Sequence, residues 1–204
     1  MKKTIFTMAA ILAISVVILS GCKSKEPAEE PEASKKGPEF TLKSFDGKEV
    51  SLSDYKGKIV VLEWFNDECP YVRYHYDTVH TMVELANKYK AKNVVWLAIN
   101  STNHTTPQQN KDFAAKHNLP YPILDDRPGN VGRAYGATNT PHMFIIDTKS
   151  NIAYEGAIDN NTSIDANKKD VINYVDRALT ELTSSKAVSS PKTKPYGCSV
   201  KYAR

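Results

Sequence analysis

The sequence predicts an α/β protein: a central sheet with parallel and antiparallel parts, flanked by helices and preceded by a short N-terminal hairpin. Three observations carry this. Residues 58–65 (KIVVLEWF) and 94–99 (VVWLAI) are β-branched, almost continuously apolar runs, as buried strands require. Between them, apolar residues recur every three or four positions, the period of an amphipathic helix. Two later apolar runs, 143–147 and 152–157, are separated only by a turn and followed by a further helical period. A tight turn joins antiparallel strands, whereas parallel strands need a crossover.

The elements follow in order. Residues 40–42 and 50–52 flank Asp46-Gly47, a turn signal between short strands. Residues 58–65 form the first central strand. In 70–89, Val72, Tyr76, Val79, Val83 and Ala86 mark one helix face, and Pro70 stands near its first position, where a missing N–H costs nothing. Residues 94–99 are the second central strand and 108–117 a helix. Met143 opens a third strand, Lys149-Ser150-Asn151 turns the chain, and 152–157 return antiparallel. A last helix spans 165–182, with Ile164, Val171, Val175, Leu179 and Leu182 at helical spacing. Asp125, Asp126 and Asp159 read as capping and turn residues, and Trp96, Tyr121 and Tyr135 as core or groove lining.

Composition bounds the function. The chain has 204 residues, 41% hydrophobic and 25% charged, which suits one globular domain with appendages. Three cysteines exclude a disulfide-dense scaffold. Residues 38–182 carry 16 Lys and Arg against 19 Asp and Glu, so nucleic acid is an unsuitable partner. Residues 183–204 form a basic C-terminal tail with five basic residues, no acid, and Cys198.

The N-terminus reads as an address. Met1-Lys2-Lys3 precedes an uncharged apolar run to Ser20, the pattern of a secretory signal. Leu19-Ser20-Gly21-Cys22 resembles the bacterial lipoprotein signal, in which cleavage precedes a cysteine that then carries lipid. The resemblance implies a signal peptide over 1–21, a lipidated flexible tether over 22–37, and an extracytoplasmic domain held on a membrane through Cys22. Lys23 after the cysteine points to the outer membrane in double-membrane bacteria. The tether balances four Lys against four Glu and lacks a large apolar side chain, so it buries no core.

Cys69 and Cys198 remain for chemistry. Cys69 ends a buried strand and opens a helix, where unpaired N–H groups favour a thiolate. Arg73 lies one helical turn on and supports the anion, while Asp67 and Glu68 oppose it. A thiolate there attacks a disulfide or a peroxide. Cys198 has three readings: a resolving cysteine that closes a disulfide with Cys69, a thiol that stays free or pairs between molecules, or a metal ligand or incidental residue. Cys69 with His142 is the alternative soft-metal pair, suited to copper or zinc. His75 and His80 read as solvated or packed residues, and His104 and His117 as loop and surface residues.

Three motifs together resemble the thioredoxin fold in its peroxiredoxin-like branch, the redoxins of the alkyl hydroperoxide reductase and thiol-specific antioxidant type. Pro38-Glu39-Phe40-Thr41-Leu42, Asp46-Gly47-Lys48 and the run from Ser51 to Lys58 resemble the family's opening hairpin. The run from Glu63 to Val72 sits where the family carries its redox cysteine. Asn139-Thr140-Pro141, directly before a strand, resembles the cis-proline loop that faces the cysteine. The ending Pro195–Tyr202 also looks like that of a bacterial redoxin subgroup. The resemblance implies a thioredoxin-like domain over 38–182 that performs thiol–disulfide exchange or peroxide reduction without a cofactor. It implies Cys69 as nucleophile, Cys198 as resolving cysteine, Pro70 and Arg73 in support, and Thr140 and Pro141 as the opposite wall of a substrate groove. The partners it implies are a protein disulfide or hydroperoxide and an external dithiol reductant protein. The second reading is a copper-binding or non-catalytic module on the same fold. Two departures stand out: Val72 replaces the second cysteine of C-x-x-C, which forbids exchange within the motif, and Asn66 stands where peroxiredoxins place Thr or Ser.

Overall fold

The computed structural model describes residues 35–204. Residues 1–34, with the expected signal segment, Cys22 and most of the expected tether, lie outside the described residues. No helix among the described residues is long and apolar enough to cross a membrane.

The chain enters through a hairpin, β1 (Thr41–Ser44) and β2 (Glu49–Ser51), whose turn places Gly47 at φ +82°. A 3-10 turn leads to β3 (Ile59–Trp64), where all six residues are buried. Its β-branched run suits a strand covered on both faces, and each large side chain removed from water contributes roughly 1.5–3 kcal/mol. A short helix α1 (Pro70–Arg73), a π turn (Tyr74–Thr78) and α2 (Thr81–Lys90) carry the chain back to β4 (Val94–Asn100). Then follow α3 (Pro107–Lys116), β5 (Ile123–Asp125), α4 (Asn130–Tyr135), β6 (Asn139–Thr140), β7 (His142–Ile146), β8 (Ile152–Gly156), α5 (Tyr174–Thr183) and β9 (Cys198–Ser199). Seven strands form one sheet in the order β2-β1-β5-β4-β3-β7-β8. The pairs β3–β4 and β4–β5 are parallel, and the others antiparallel. The mixed sheet and its N-terminal hairpin are those expected from the sequence. Strand alternation splits the core in two. Val61, Phe65, Met143 and Ile145 pack with Cys69 and Tyr76 on one face; Leu62, Trp64, Phe144 and Ile146 pack with Tyr135 on the other.

Several expectations are corrected. The helix over 70–89 is broken: the Val79 N–H reaches back five residues to the Tyr74 carbonyl, and His80 turns left-handed at φ +51°. The wide turn resets the inward face, so Val72, His75 and Tyr76 are followed by Met82, Leu85 and Tyr89, and Val83 and Ala86 are only partly buried. The last helix begins at Tyr174, where the Asn173 side chain accepts from the Asp176 N–H. Before it, Ile164 and Asp170 are left-handed, and Val171, expected on the core face, is exposed. The strand β5 and helix α4 were too short to leave a periodic signature. Residues 35–37 of the tether pack on the β7–β8 turn, through Gly37 N–H to the Ser150 carbonyl and Ile152 N–H to the Lys35 carbonyl.

Candidate active site

Cys69 caps α1. The Asn66 carbonyl accepts from the Cys69 N–H at 3.1 Å, and the Cys69 carbonyl receives the Arg73 N–H at 2.9 Å. The Asn66 side chain, 2% exposed, accepts from the Glu68 N–H at 2.9 Å and so holds the loop before the cysteine. Pro70 opens the helix as expected. Arg73 faces solvent, and its Nε donates to the Asp67 carbonyl at 3.0 Å. The guanidinium therefore braces the loop before Cys69, and the direct support of sulfur expected from its spacing is not among its hydrogen bonds. Cys69 itself is 1% exposed, and its Sγ donates to the Thr140 carbonyl at 3.0 Å.

Thr140 and Pro141, joined by a cis peptide, form the wall across from Cys69. The free edge of β6 is taken by the chain's own tail. Antiparallel pairing sets Asn139 against Ser199 and Thr140 against Cys198. The Asn139 side chain donates to the Gly197 carbonyl, and the Val200 N–H to the Thr138 carbonyl. Cys198 thus meets the residue that holds Cys69, which brings the two cysteines next to each other. Both cysteines are free thiols. Burial, then the neighbouring Cys69, push the Cys198 thiol up to about 11. Consumption of the Cys69 thiol by oxidation removes its part of that effect. The tail is strapped down on both sides. Thr193 exchanges backbone and side-chain hydrogen bonds with Glu155, Tyr154 and Ala157, and the Tyr202 hydroxyl donates to the Ala137 carbonyl.

Two buried polar groups on this side of the sheet escape sequence reasoning. Glu63, fully buried on β3, accepts from the Tyr76 hydroxyl at 2.9 Å and the Trp96 indole N–H at 3.0 Å. Burial pushes its carboxyl up to about 7 against these donors. The signal was present: one acid stands inside an otherwise apolar strand. His75, also fully buried, lies on the Tyr196 hydroxyl of the tail at 3.1 Å and the Thr81 hydroxyl at 3.3 Å. Burial draws it down to about 4. Its place on the helix gave no hint of contact with a residue more than a hundred positions away.

His142 is separated from Cys69 by strand alternation. Its ring stacks on Phe144 at 4.5 Å, in the cluster on the opposite sheet face, and Nδ1 accepts from the Thr138 N–H. The structure therefore does not assemble the Cys69–His142 metal pair, and no group of three or more metal-ligating side chains occurs among the described residues. His117, expected on the surface, stacks on Phe113 at 4.3 Å with its side chain 8% exposed. Asp126 caps α4 through the Val131 and Gly132 N–H groups, as its loop position suggested. Asp159 does hold a turn through the Asn161 N–H, and it also takes the Tyr196 hydroxyl.

The sequence matches the AhpC/TSA family over residues 33–155. Among curated proteins, the thiol-disulfide oxidoreductase ResA of Bacillus cereus is 30% identical over 143 residues, 70% of this chain and 79% of ResA. An uncharacterized conserved protein from Geobacillus kaustophilus has a solved structure that is 31% identical, with a TM-score of 0.74 over 83% of this chain and 92% of that one. The thioredoxin domain of a thiol-disulfide oxidoreductase from Bacteroides vulgatus, 20% identical, superposes with a TM-score of 0.52 over 60% of this chain and 87% of that domain, which shows a thioredoxin-like fold.

Proposed function

The chain belongs to the AhpC/TSA family and is a thiol-dependent oxidoreductase, and from that premise we propose a two-cysteine relay in which Cys69 is the nucleophile and Cys198 resolves it. One observation carries the reading: Thr140 joins the two cysteines, its carbonyl accepting from the Cys69 thiol and its backbone pairing with Cys198. Cys69 attacks one sulfur of a protein disulfide, giving a mixed disulfide and releasing one thiol, or the terminal oxygen of a hydroperoxide, giving a sulfenic acid and an alcohol. Cys198 then attacks the Cys69 sulfur. The Cys69–Cys198 bond forms, and the second thiol or a water leaves. An external dithiol protein supplies two electrons and two protons to restore the pair. With Val72 in place of a second motif cysteine, the tail supplies the thiol that the helix lacks.

Disulfide exchange is the favoured substrate chemistry, because Asn66 spends its side chain on the Glu68 N–H where peroxiredoxins place a hydroxyl. The lipoprotein-like start supports a place outside the cytoplasm, tethered to a membrane through lipid on Cys22. Peptide mass spectrometry tests the relay after one equivalent of hydrogen peroxide and, separately, of an oxidised dithiol protein. The expected product is a Cys69–Cys198 crosslink lacking two hydrogen atoms, formed faster with the disulfide. Two thiols left free by both oxidants, or Cys69 driven only to sulfinic acid, would exclude it.

A further inference from the structure

The tail between residues 184 and 204 has only two residues of regular strand, so side chains add to the backbone bonds that hold Cys198. Tyr196 is placed for this. Its hydroxyl donates to Asp159 Oδ1 at 2.5 Å and lies 3.1 Å from His75 Nε2. Both anchors are buried, Asp159 at 5% and His75 at 0% exposure. With the hydroxyl proton spent on Asp159, His75 must donate from Nε2, and Nδ1 then accepts from Thr81; one neutral tautomer satisfies every partner. The Tyr196 ring meets the Tyr71 ring edge to face at 5.8 Å, two residues beyond Cys69. One side chain thus ties the tail to the loop before α5, to the π turn and to the helix start that bears the nucleophile. Gly197 follows at φ +115°, where a β-carbon would run into the Thr140 carbonyl. Cys198 comes next. Anchor, turn and thiol are three consecutive residues.

We propose that Tyr196 is a positioning residue whose clasp on Asp159 and His75 keeps Cys198, rather than an external thiol, against Cys69. The inference rests on the two-cysteine reading and adds what sets its outcome. Once the Cys69 sulfur is in a mixed disulfide with a thiol R–SH, two nucleophiles compete for it. Attack by Cys198 forms Cys69–Cys198 and expels R–SH; attack by an external thiol R′–SH forms Cys69–S–S–R′ and expels the same group. The internal thiol wins by its effective concentration, and a clasp that removes the tail's freedom raises that concentration without touching the sulfurs. Loosening it leaves the Cys69 sulfur to external thiols and turns an internally resolved enzyme into one that releases its substrate and ends as an adduct with the external thiol.

The test is an equilibrium titration of the full chain in buffers of reduced and oxidised glutathione, with products mapped to Cys69 and Cys198 by peptide mass spectrometry and the unfolding midpoint measured in parallel. Tyr196→Phe keeps the ring on Tyr71 and deletes the hydroxyl; Asp159→Ala breaks the same bond from the other side. The expected result is an effective concentration of Cys198 at least about tenfold lower in both variants, with the Cys69–glutathione adduct replacing the internal disulfide. The Tyr196→Phe unfolding midpoint should fall by no more than about 10 °C with the fold retained, the cost of the lost hydroxyl alone, a separation from the tenfold fall that a merely structural tyrosine would not give. An unchanged effective concentration in Tyr196→Phe overturns the clasp alone, as does a fall matched by loss of the fold in Tyr196→Phe. A wild type that forms no internal disulfide in any buffer overturns the relay, and Tyr196's role with it.

Discussion

Cys69 stands between two walls of opposite origin. One is local: from Asn66 to Arg73, eight consecutive residues set the loop, the cap and the first helical turn. The other is assembled from Thr140 and from a tail nearly 130 residues downstream, held by Tyr196, Thr193 and Tyr202 on three different parts of the domain. The local wall closes short loops and needs few partners. The distant wall needs several buried hydrogen bonds to offset the ordering of a segment with almost no regular structure. The difference teaches where the arrangement of the two cysteines is adjustable. The seat of Cys69 is set by its own helix start, whereas the seat of Cys198 is set by side-chain anchors that can be loosened one at a time.

Substitution at the sulfurs breaks the comparison most severely. Cys69→Ser should lower thiol–disulfide turnover at least about a thousandfold, measured with a dithiol reductant in excess. Cys198→Ser should lower it about tenfold or more and leave a mixed disulfide on Cys69 that is visible by non-reducing electrophoresis. Normal turnover in Cys198→Ser with the same reductant would remove the distant wall from the chemistry.

Urea unfolding between pH 6.5 and 4.5 sharpens the comparison next. Burial draws His75 and His142 from 6.5 to about 4, so each contributes stability that is full above 6.5 and is lost as the pH falls toward 4. Burial raises Glu63 from 4.5 to about 7, so its contribution is present below 4.5 and is lost as the pH rises. Burial also raises Asp67 and lowers His117, and these two oppose each other. Two histidines against one carboxyl leave one net proton, and stability should fall by about 1.4 kcal/mol per pH unit on acidification. His75→Gln, on the tail side, should make that line nearly flat; an unchanged slope would mean that His75 is not held neutral by its buried seat. The smallest effect belongs to the local wall. Asn66→Ala removes one acceptor from the Glu68 N–H and should cost about 1 kcal/mol, or about 2–4 °C in Tm by calorimetry.

The same contrast explains what could be read from the sequence. The central strands, the hairpin before α5 and the strand-to-helix junction at Cys69 were legible because burial on both faces and a proline at a helix start leave local marks. The break at Val79 and His80 was not, because the apolar period runs through it and only the partners of His75 and Tyr76 reveal the reset face. Arg73 illustrates the limit of spacing: the right distance along a helix did not decide which oxygen or sulfur its guanidinium meets. His142 shows the same for strands, since adjacency to Pro141 suggested the groove and alternation sent the ring to the other face. The seat of Cys198 left no local trace at all, because the Thr140 pairing and the Tyr196 bonds join segments separated by most of the domain.

The chain has two tryptophans, and both are buried, one on each face of the sheet. The Trp64 indole N–H donates to the Ser101 hydroxyl, and the Trp96 indole N–H to the Glu63 carboxyl. Only the second partner changes charge near neutrality. Trp96 is therefore an intrinsic fluorophore beside a titrating group on the cysteine side, and Trp64 a background emitter that the same titration leaves alone. With Trp64 replaced by Phe, the emission of this protein becomes a label-free optical record of Glu63 gaining and losing its proton around pH 7.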